Sequence, residues 1–487
     1  MEIKDLKPAT IWGFFDQITR VPRPSKKEEK IVRFLLDFAK QNGLEAAKDE
    51  ANNVLIRKPA TPGKENLKTV ILQSHVDMVC EKNSDVRLNF ETDPIQTRID
   101  NGWVKATGTT LGADDGIGVA AALAILTSKE VEHGPIVCLF TTDEETGLTG
   151  ANALKKEFLA GDILINLDSE EWGEFCIGCA GGKSTTGVFT YRKMPVPADY
   201  FWFEVCVNGL NGGHSGCDIH LGLGNANQIL TRYLWALLQE CPLILATIDG
   251  GNLHNAIARE AKAVAGVPVA FKEQTRVLLN LLQAQVSEEL SKSDPNVQLS
   301  LQSVETPKDC IDFETGNALI YALYALPHGV IGMSRDMPGL VETSTNLASV
   351  KMKDDCRIVV TTSQRSSVGS LKVDIANKVT SVFSLAGAEV ASTDGYPGWK
   401  PNTDSVILNL SVKLFEKLFH QEPKVFATHG GLECGLFYEK NPQLDMISCG
   451  PTILGAHSPD ERLEIATVEK WWTFLVELLK AIPVKNS

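Results

Sequence analysis

The stretch TVILQSHVD, residues 69–77, indicates both a fold class and the place where side chains of chemical interest gather. It passes from apolar and β-branched side chains, residues 69–72, into a polar segment that holds His75 and Asp77. A short continuous run of this kind is typical of a strand covered on both faces, as in a parallel sheet between helices. Such proteins bind ligands at the carboxyl ends of the strands, so we expect His75 and Asp77 at that edge.

Further apolar runs end in the same way, in acidic or histidine side chains. The runs are residues 136–140, 163–167 and 446–448, and the side chains that follow them are Glu144 and Glu145, Asp168, and His457. Because the carboxyl ends of parallel strands meet at one edge of a sheet, we expect these groups to converge. Residues 116–126, rich in Ala, Ile, Leu and Val, predict a tightly packed helix between two of the strands.

The amino-acid composition and net charge exclude several classes of function. The chain has 487 residues, 43% hydrophobic and 22% charged, which is ordinary for a globular protein of about two or three domains. Its formal net charge of −14 has the wrong sign for binding phosphates, so we expect no nucleic-acid partner. Neither a signal peptide nor a transmembrane segment is apparent, and we expect no membrane partner. The eleven irregularly spaced cysteines favour reduced thiols and a cytoplasmic protein.

The middle of the chain has a different pattern of hydrophobic residues. Strand-like and helix-like segments alternate there without the long apolar runs, at residues 201–207, 225–240, 273–291, 357–361 and 371–383. We therefore predict a discontinuous α/β domain over residues 1–188 and 396–487, with a largely parallel sheet flanked by helices. An inserted α+β domain of two subdomains is predicted over residues 189–395.

A pair of aspartates, Asp114 and Asp115, stands between glycines at the start of the predicted helix. One of them can cap the helix while the other reaches outward. Taken singly, each motif has an ordinary role: a helix cap, an interior histidine for His75, or a solvated pair for Glu144 and Glu145. The coincidence of five such places, each at a strand end or a helix start, favours a shared site.

Imidazole and carboxylate ligands without cysteine suit Zn²⁺, Mn²⁺ or Co²⁺. One ion would use only three or four of these groups, whereas two ions about 3.5–4 Å apart would use all of them, with a bridging aspartate and a hydroxide. Glu144 then remains as a general base, because adjacent side chains of an extended backbone point in different directions. Asp77 can hold the second nitrogen of His75 and orient the ring.

These residues resemble the five-ligand signature of the co-catalytic zinc aminopeptidase, glutamate carboxypeptidase and aminoacylase family. The signature comprises His75 with Asp77, Asp114 with Asp115, Glu144 with Glu145, Asp168, and His457. Four longer motifs are similar to the Xaa-His dipeptidase branch of that family. They are VPRPS at residues 21–25, LQSHVDMV at 72–79, HNAIARE at 254–260 and GAHSPDER at 455–462.

The resemblance implies a role for each matching residue. One metal ion is expected on His75, Asp114 and Asp168, and the other on Asp114, Glu145 and His457, with Glu144 as the base and Asp77 in support. The inserted domain becomes a lid, in which His214 polarises the substrate carbonyl and Asn255, Arg259 and Arg365 hold the substrate carboxylate. The resemblance also implies Zn²⁺ as the usual metal. It leaves two arrangements open, in which His214 acts across a dimer or within a lid of two similar halves, and of these we favour a homodimer formed through the lid.

The function that the resemblance implies is hydrolysis of dipeptides with free termini, Xaa-His among them, by a hydroxide that bridges the two ions. Alternatives within the same chemistry are an N-acyl amino acid deacylase and a carboxypeptidase. A non-catalytic metal- and peptide-binding protein is disfavoured because Glu144 accompanies a full ligand set. A serine nucleophile near His214 is disfavoured because Cys217 stands where the G-x-S-x-G motif of serine hydrolases has its last glycine. A dinucleotide site at residues 116–121 is disfavoured by the adjacent aspartates.

Overall fold

The computed structural model describes residues 2–485. The helices are α1 Ala9–Thr19, α2 Glu29–Gln41, α3 Ala113–Thr127, α4 Glu144–Gly147, α5 Thr149–Ala153, α6 Ala226–Glu240, α7 Lys272–Glu289, α8 Phe313–Ala325, α9 Gly369–Leu385, α10 Val406–Phe419, α11 Glu433–Lys440 and α12 Ile465–Ala481. The strands are β1 Glu45–Lys48, β2 Val54–Lys58, β3 Val70–His75, β4 Thr97–Asp100, β5 Trp103–Ala106, β6 Ile136–Thr141, β7 Ile163–Asn166, β8 Glu174–Cys179, β9 Gly181–Thr190, β10 Lys193–Met194, β11 Tyr200–Asn208, β12 Ile244–Gly250, β13 Ala261–Pro268, β14 Gln298–Ser303, β15 Cys310–Ile311, β16 Gly329–Met333, β17 Val341–Lys353, β18 Arg357–Ser366, β19 Glu389–Ser392, β20 Lys424–Thr428, β21 Asp445–Ser448, β22 Ile453–Leu454 and β23 Arg462–Glu464.

The chain forms two compact units. The first unit comprises Met1–Gly178, Trp399–Ala427 and Leu432–Ser487, and the second comprises Cys179–Gly398 and Thr428–Gly431. The domain limits at residues 188 and 396 stay a prediction, and β9 crosses the first of them. Within residues 2–485, none of the helices combines the length and apolar character that crossing a bilayer requires.

The main sheet of the first unit has the strand order β1-β2-β6-β3-β7-β21-β8-β20. Its centre is parallel: β6 pairs with β3, β3 with β7, and β7 with β21, all in the same direction. These are the four apolar runs of the sequence, and β3, β6 and β7 are buried along their whole length. The prediction of a largely parallel sheet flanked by helices is confirmed.

Helix α3 follows the loop that carries the paired aspartates, and it packs on α1 and β3. Its residues from Ala113 to Leu126 are buried, and most of them are Ala, Gly or aliphatic. Small side chains let a helix approach its neighbours closely on every side, which is how an apolar helix occupies the interior of a layered protein. The start of α3 is thereby held firmly beside the end of β3.

The second unit contains an antiparallel sheet with the order β14-β11-β13-β12-β17-β18-β9-β19, with β16 paired to β17. Its two halves have the same arrangement of elements. One half is β11-α6-β12-β13-α7-β14, and the other is β9-α8-β17-β18-α9-β19, each ordered strand-helix-strand-strand-helix-strand. The halves join edge to edge through β12 and β17. The first half is inserted between β9 and α8 of the second half, so the repeat is interrupted along the chain.

Candidate metal centre

His75 is the last residue of β3 and is surrounded by carboxylates. Its Nε2 atom lies 2.9 Å from Oδ1 of Asp114 and 3.4 Å from Oδ1 of Asp168. On the other side of the ring, Nδ1 lies 3.4 Å from Oδ1 of Asp77. The structure therefore brings together the three residues assigned by resemblance to one metal ion, with Asp77 behind the imidazole.

A second group shares Asp114 with the first. Nε2 of His457 lies 3.2 Å from Oδ2 of Asp114 and 3.0 Å from Oε2 of Glu145. His457 has a φ of 63°, a left-handed conformation that is uncommon for a residue with a Cβ. Its side chain is 55% exposed, whereas that of Glu145 is 4% exposed. The cluster is therefore buried on the His75 side and open to solvent at His457.

The spacing of these atoms suits divalent cations. Two atoms that bind one tetrahedral ion at about 2.0–2.1 Å stand about 3.3 Å apart. The nitrogen–oxygen distances around His75 Nε2 and His457 Nε2 run from 2.9 to 3.4 Å. Oε1 of Glu145 is buried and, among residues 2–485, has no hydrogen-bond partner. The donor set and this unpaired oxygen fit two ions of the Zn²⁺, Mn²⁺ or Co²⁺ class.

The buried carboxylates of the cluster favour positive charge beside them, as the pKa values of the two histidines indicate. Burial lowers the pKa of His75, but Asp168 and Asp114 outweigh it and raise that pKa well above its ordinary value. The hydrogen bond with Asp114 is the main cause that raises the pKa of His457 to about 11. Burial raises the pKa of Asp114, yet its contacts with the two imidazoles lower it overall. Protonated imidazoles supply in part the charge that divalent cations would bring.

The two adjacent aspartates have different tasks. Oδ1 of Asp115 accepts a hydrogen bond of 3.1 Å from the N–H of Gly118 and so caps the first turn of α3. Asp114 has a non-helical backbone, with φ −77° and ψ 114°, and its carboxylate contacts both imidazoles. Of the two arrangements that the sequence left open, the structure has Asp115 as the cap.

Glu144 and Glu145 diverge for a reason other than the predicted one. The expectation of extended backbone at this pair is wrong: Asp143 has a φ of 50°, and the next four residues form the single helical turn α4. Successive side chains of a helix are about 100° apart, so the two glutamates still point in different directions. Asp77 holds this turn, because its Oδ1 accepts from the N–H of Glu144 at 3.0 Å and its Oδ2 from that of Glu145 at 3.3 Å.

Burial is the main cause of an altered pKa at Glu144. Together with the nearby carboxylates of Glu433 and Glu145, it raises the pKa of Glu144 to about 8, although His75 opposes the shift. A carboxyl group that titrates near neutrality accepts and releases a proton more readily than one of ordinary pKa. The chemistry of this position therefore suits proton transfer.

A buried polar network that was not predicted lies behind the cluster. Oε2 of Glu433 accepts hydrogen bonds from Nε2 of Gln73 at 2.7 Å and from Oγ1 of Thr141 at 2.9 Å. Nδ2 of Asn166 donates to Oε1 of Gln73 at 2.6 Å, and Oγ of Ser448 donates to Oδ1 of Asn166. The network links β6, β3, β7 and β21 near their carboxyl ends. It fixes the strand ends from which the site side chains project.

A second group of carboxylates, Glu28, Asp77 and Asp143, has its oxygens within 4.8 Å of one another. Oε1 of Glu28 accepts from the N–H of Lys26 at 2.7 Å and from that of Asp143 at 3.1 Å. Oδ1 of Asp143 accepts from the hydroxyl of Thr146 at 2.5 Å. These oxygens already serve as acceptors for the turn that carries Glu144, so the group supports that turn.

In the second unit, the structure brings His214 and Arg365 together. Nε2 of His214 lies 3.4 Å from the guanidinium of Arg365, which donates to the hydroxyl of Tyr396 at 2.8 Å. Nδ1 of His214 accepts from the N–H of Cys217 at 3.1 Å, which places the proton of a neutral ring on Nε2. Burial and the Arg365 charge lower the pKa of His214. Two donors therefore stand side by side, and Nε of Arg365 is buried without a hydrogen-bond partner among residues 2–485.

The two remaining candidates have backbone contacts beside His214. The carbonyl of Asn255 accepts from the N–H of Ser215 at 2.8 Å, which joins its loop to the His214 loop. Nε of Arg259 donates to the carbonyl of Leu210 at 3.3 Å. Arg259 thus supports the approach to the His214 loop, and its contact with a substrate carboxylate stays a prediction.

Comparisons with known proteins identify the family to which the chain belongs. Residues 71–481 match the profile of Peptidase family M20/M25/M40. Over 484 residues, the chain is 43% identical to the cytosol non-specific dipeptidase of Escherichia coli (strain K12), covering 99% of this chain and 100% of that protein. The crystal structure of aminoacylhistidine dipeptidase from Vibrio alginolyticus matches 100% of this chain and 99% of that chain, with a TM-score of 0.95 at 43% identity. Aminopeptidase PepT from Bacillus cereus ATCC 10987 shares the fold, with a TM-score of 0.57 at 16% identity over 98% of this chain and 99% of that one. The chain belongs to peptidase family M20/M25/M40.

Proposed function

We propose that this chain is a dipeptidase that depends on two divalent metal ions and hydrolyses dipeptides with free termini, Xaa-His dipeptides among them. The family is a metal-dependent peptidase family, and two relatives at 43% identity are named as dipeptidases. The observation that carries the proposal is the convergence of two imidazoles on opposite oxygens of Asp114, with Glu144 on the neighbouring turn.

The proposed ligands divide into two sets that share one carboxylate. His75, Asp168 and Asp114 hold one ion, and Asp114, Glu145 and His457 hold the other, with Zn²⁺ as the preferred metal and Co²⁺ or Mn²⁺ as substitutes. When bound, such ions lower the pKa of water and polarise a carbonyl oxygen. Asp77 orients His75 and, through two backbone N–H groups, the turn that carries the glutamates.

Glu144 is the proposed general base. Glu145 contacts His457, which leaves the neighbouring carboxylate available for proton transfer. In hydrolysis, the hydroxyl of water is added to the carbonyl carbon while the peptide C–N bond breaks. Glu144 takes the proton that the attacking water releases and delivers it to the nitrogen of the leaving amine, so the carboxylate is regenerated in each cycle.

Side chains of the second unit supply donors for substrate oxygens. The Nε2–H of His214 suits the carbonyl oxygen of the scissile bond, where negative charge develops during attack. Arg365 is 7% exposed, and its guanidinium suits the terminal carboxylate of the substrate, since its Nε lacks an acceptor among residues 2–485. Asn255 and Arg259 are proposed as further contacts of that carboxylate. A requirement for a free carboxylate separates a dipeptidase from an enzyme that acts on internal peptide bonds.

The cellular setting forms a second part of the proposal. We propose a cytoplasmic enzyme, in line with the word "cytosol" in the name of the Escherichia coli relative. We also propose a homodimer formed through the second unit, where β16 pairs with β17 and exposes Val330, Ile331 and Met333. Light scattering coupled to gel filtration tests this: a mass near 53 kDa in solution would contradict the dimer.

Substrate assays of the metal-loaded enzyme test the function. The protein is stripped with a chelator, restored with Zn²⁺, Mn²⁺ or Co²⁺, and assayed on Xaa-His and other dipeptides. Matched controls are the N-acylated and C-amidated forms of the same dipeptides and N-acyl amino acids. We expect hydrolysis of free dipeptides that is lost on stripping and restored by metal. Cleavage of N-acyl amino acids in preference to dipeptides would favour a deacylase and contradict the proposal.

A further inference from the structure

The loop that leads into Asp114 is bound by one buried carboxylate. Four successive N–H groups of this loop donate to Glu461: those of Leu111 at 2.6 Å, Gly112 at 2.9 Å, Ala113 at 2.7 Å and Asp114 at 3.3 Å. Glu461 is 2% exposed. Successive backbone N–H groups that surround an anion form a nest, and hydrogen bonds to a charged acceptor are stronger than neutral ones. The backbone of residues 111–114 is therefore fixed by a side chain far away in sequence.

A buried arginine holds the same loop by its carbonyl groups. The guanidinium of Arg23 donates to the carbonyl of Gly112. It also donates to the carbonyls of Val76 at 2.9 Å and Asp77 at 2.8 Å, directly after His75. Arg23 is 2% exposed, and its fork shape lets one side chain serve both segments. Arg23 thus connects the loop before Asp114 to the segment after His75.

Two glycines make room for this arginine. A Cβ atom built on Gly112 or on Gly116 would stand 2.5 Å from Nη2 of Arg23. Gly112 also has a φ of 70°, which side chains with a Cβ rarely adopt. The loop is therefore shaped around the guanidinium on one side and the Glu461 carboxylate on the other.

Glu461 also lies four residues after His457, and its N–H donates to the carbonyl of Ser458 at 3.0 Å. The turn that carries His457 and the loop that carries Asp114 are consequently joined through one side chain. Since His457 and Asp114 contact each other at 3.2 Å, a shift of either backbone changes that distance directly.

We propose that Glu461 and Arg23 are positioning residues for the metal centre: together they hold the carboxylate of Asp114 where it can serve both ions. The inference rests on the proposed dinuclear site and adds residues to it that touch neither the ions nor the substrate. A purely structural role would lower the stability of the folded protein and leave metal affinity unchanged. A positioning role lowers metal affinity in protein that remains folded.

Metal binding without substrate separates the two roles. Apoprotein is titrated with Co²⁺ and with Zn²⁺ in competition with a chromophoric chelator, and the visible spectrum of the Co²⁺ form is recorded. The variants are Glu461→Gln, which places an amide against four N–H donors, and Arg23→Lys, which keeps the charge and loses the fork. Both should weaken metal binding about 10- to 100-fold, the usual effect of removing a group that orients metal ligands. In both variants the visible spectrum of the Co²⁺ form should also differ from that of the wild type.

Asp312→Asn is the matched control. Asp312 is 3% exposed and accepts backbone N–H groups of Arg192 at 2.7 Å and Thr315 at 3.1 Å, but it belongs to the second unit. Its variant should lose thermal stability and keep wild-type metal affinity. If Glu461→Gln fails to fold, Glu461→Asp takes its place: it retains the carboxylate, and it should bind metal with an affinity between the wild type and Arg23→Lys.

Wild-type metal affinity and an unchanged Co²⁺ spectrum in folded Glu461 and Arg23 variants would overturn the proposal. An equal loss of affinity in Asp312→Asn would overturn it as well, because the effect would then follow from general destabilisation. Failure of the proposed function has a different signature: a wild-type protein that binds both ions but cleaves no dipeptide. The titrations therefore test the positioning role independently of turnover.

Discussion

His75 and His457, separated by most of the chain, direct their Nε2 atoms at different oxygens of one carboxylate. His75 lies 2.9 Å from Oδ1 of Asp114, and His457 lies 3.2 Å from Oδ2. A carboxylate with one imidazole at each oxygen has the arrangement needed to join two metal sites.

Asp114→Ala should remove both metal ions together. The reason is that Asp114 belongs to both proposed ligand sets, whereas Asp168 belongs to one. Metal content of the dialysed proteins, measured by mass spectrometry of the metals, checks this. Asp168→Ala is the control and should retain about one ion per chain. An Asp114→Ala protein that keeps one ion at wild-type affinity would rule out bridging by this residue.

Glu144→Gln should keep both ions and lose about 10²- to 10⁴-fold in kcat, the range found when a general base is removed. The amide is nearly the same size but accepts no proton. Glu145→Gln is the neighbouring control, and it should reduce metal content because Glu145 contacts His457 at 3.0 Å. Equal loss of metal in the two variants would refute the assignment of base and ligand within the pair.

Arg365→Lys should raise KM for dipeptides with a free carboxylate by about ten-fold or more, since a lysine cannot reproduce the planar fork. The residual rate for the C-amidated substrate, which offers no carboxylate, should hardly change. Arg259→Lys serves as the comparison, because its Nε donates to the carbonyl of Leu210. A larger KM effect at Arg259 than at Arg365 would reverse the assignment of these two arginines.

Because His429 is buried, the free energy of unfolding should be lower in mild acid than at neutral pH. This histidine is 6% exposed, and burial, aided by Arg365, lowers its pKa from 6.5 to about 4. Between these values the unfolded chain binds more protons than the folded one, so the free energy of unfolding falls as pH drops from 6.5 to 4. At about 1.4 kcal/mol per pKa unit, the loss reaches roughly 3 kcal/mol.

The measurement for His429 is urea denaturation of wild type and His429→Gln at several pH values. The difference between the two proteins isolates this one group from the other titrating side chains. It should grow steadily as pH falls below 6.5 and level off near the folded pKa. A difference that is constant across this range would show that His429 is not held in its neutral form.

The sheet could be predicted from sequence because its central strands are buried on both faces and therefore read as continuous apolar runs. The same runs located the other candidate ligands, because His75 is the last residue of β3, Asp168 lies just after β7, and His457 lies beyond β21 and the short strand β22. At Glu144 and Glu145 the local backbone was mistaken, because the positive φ of Asp143 leaves no mark in hydrophobic periodicity. Placement of the pair beside the cluster nevertheless follows from its position after β6.

The hydrogen bonds that hold the site between distant segments of the chain could not be predicted from sequence patterns. Glu461 and Glu433 look like ordinary acidic residues near a loop and a helix start, and only the folded chain shows which N–H, amide or hydroxyl groups they accept from. Arg23 stands between two prolines and carries no periodic signal. Its place within the VPRPS motif of the dipeptidase branch was the one available hint. Interactions between segments hundreds of residues apart depend on the tertiary structure and not on local propensity.

The most direct test of the central claim is anomalous diffraction from crystals of the metal-loaded enzyme, recorded at the absorption edge of the bound metal. We expect two anomalous peaks per chain, with the carboxylate of Asp114 bound to both, His75 on one ion and His457 on the other. A single peak at full metal occupancy, or two peaks of which only one contacts Asp114, would contradict the account.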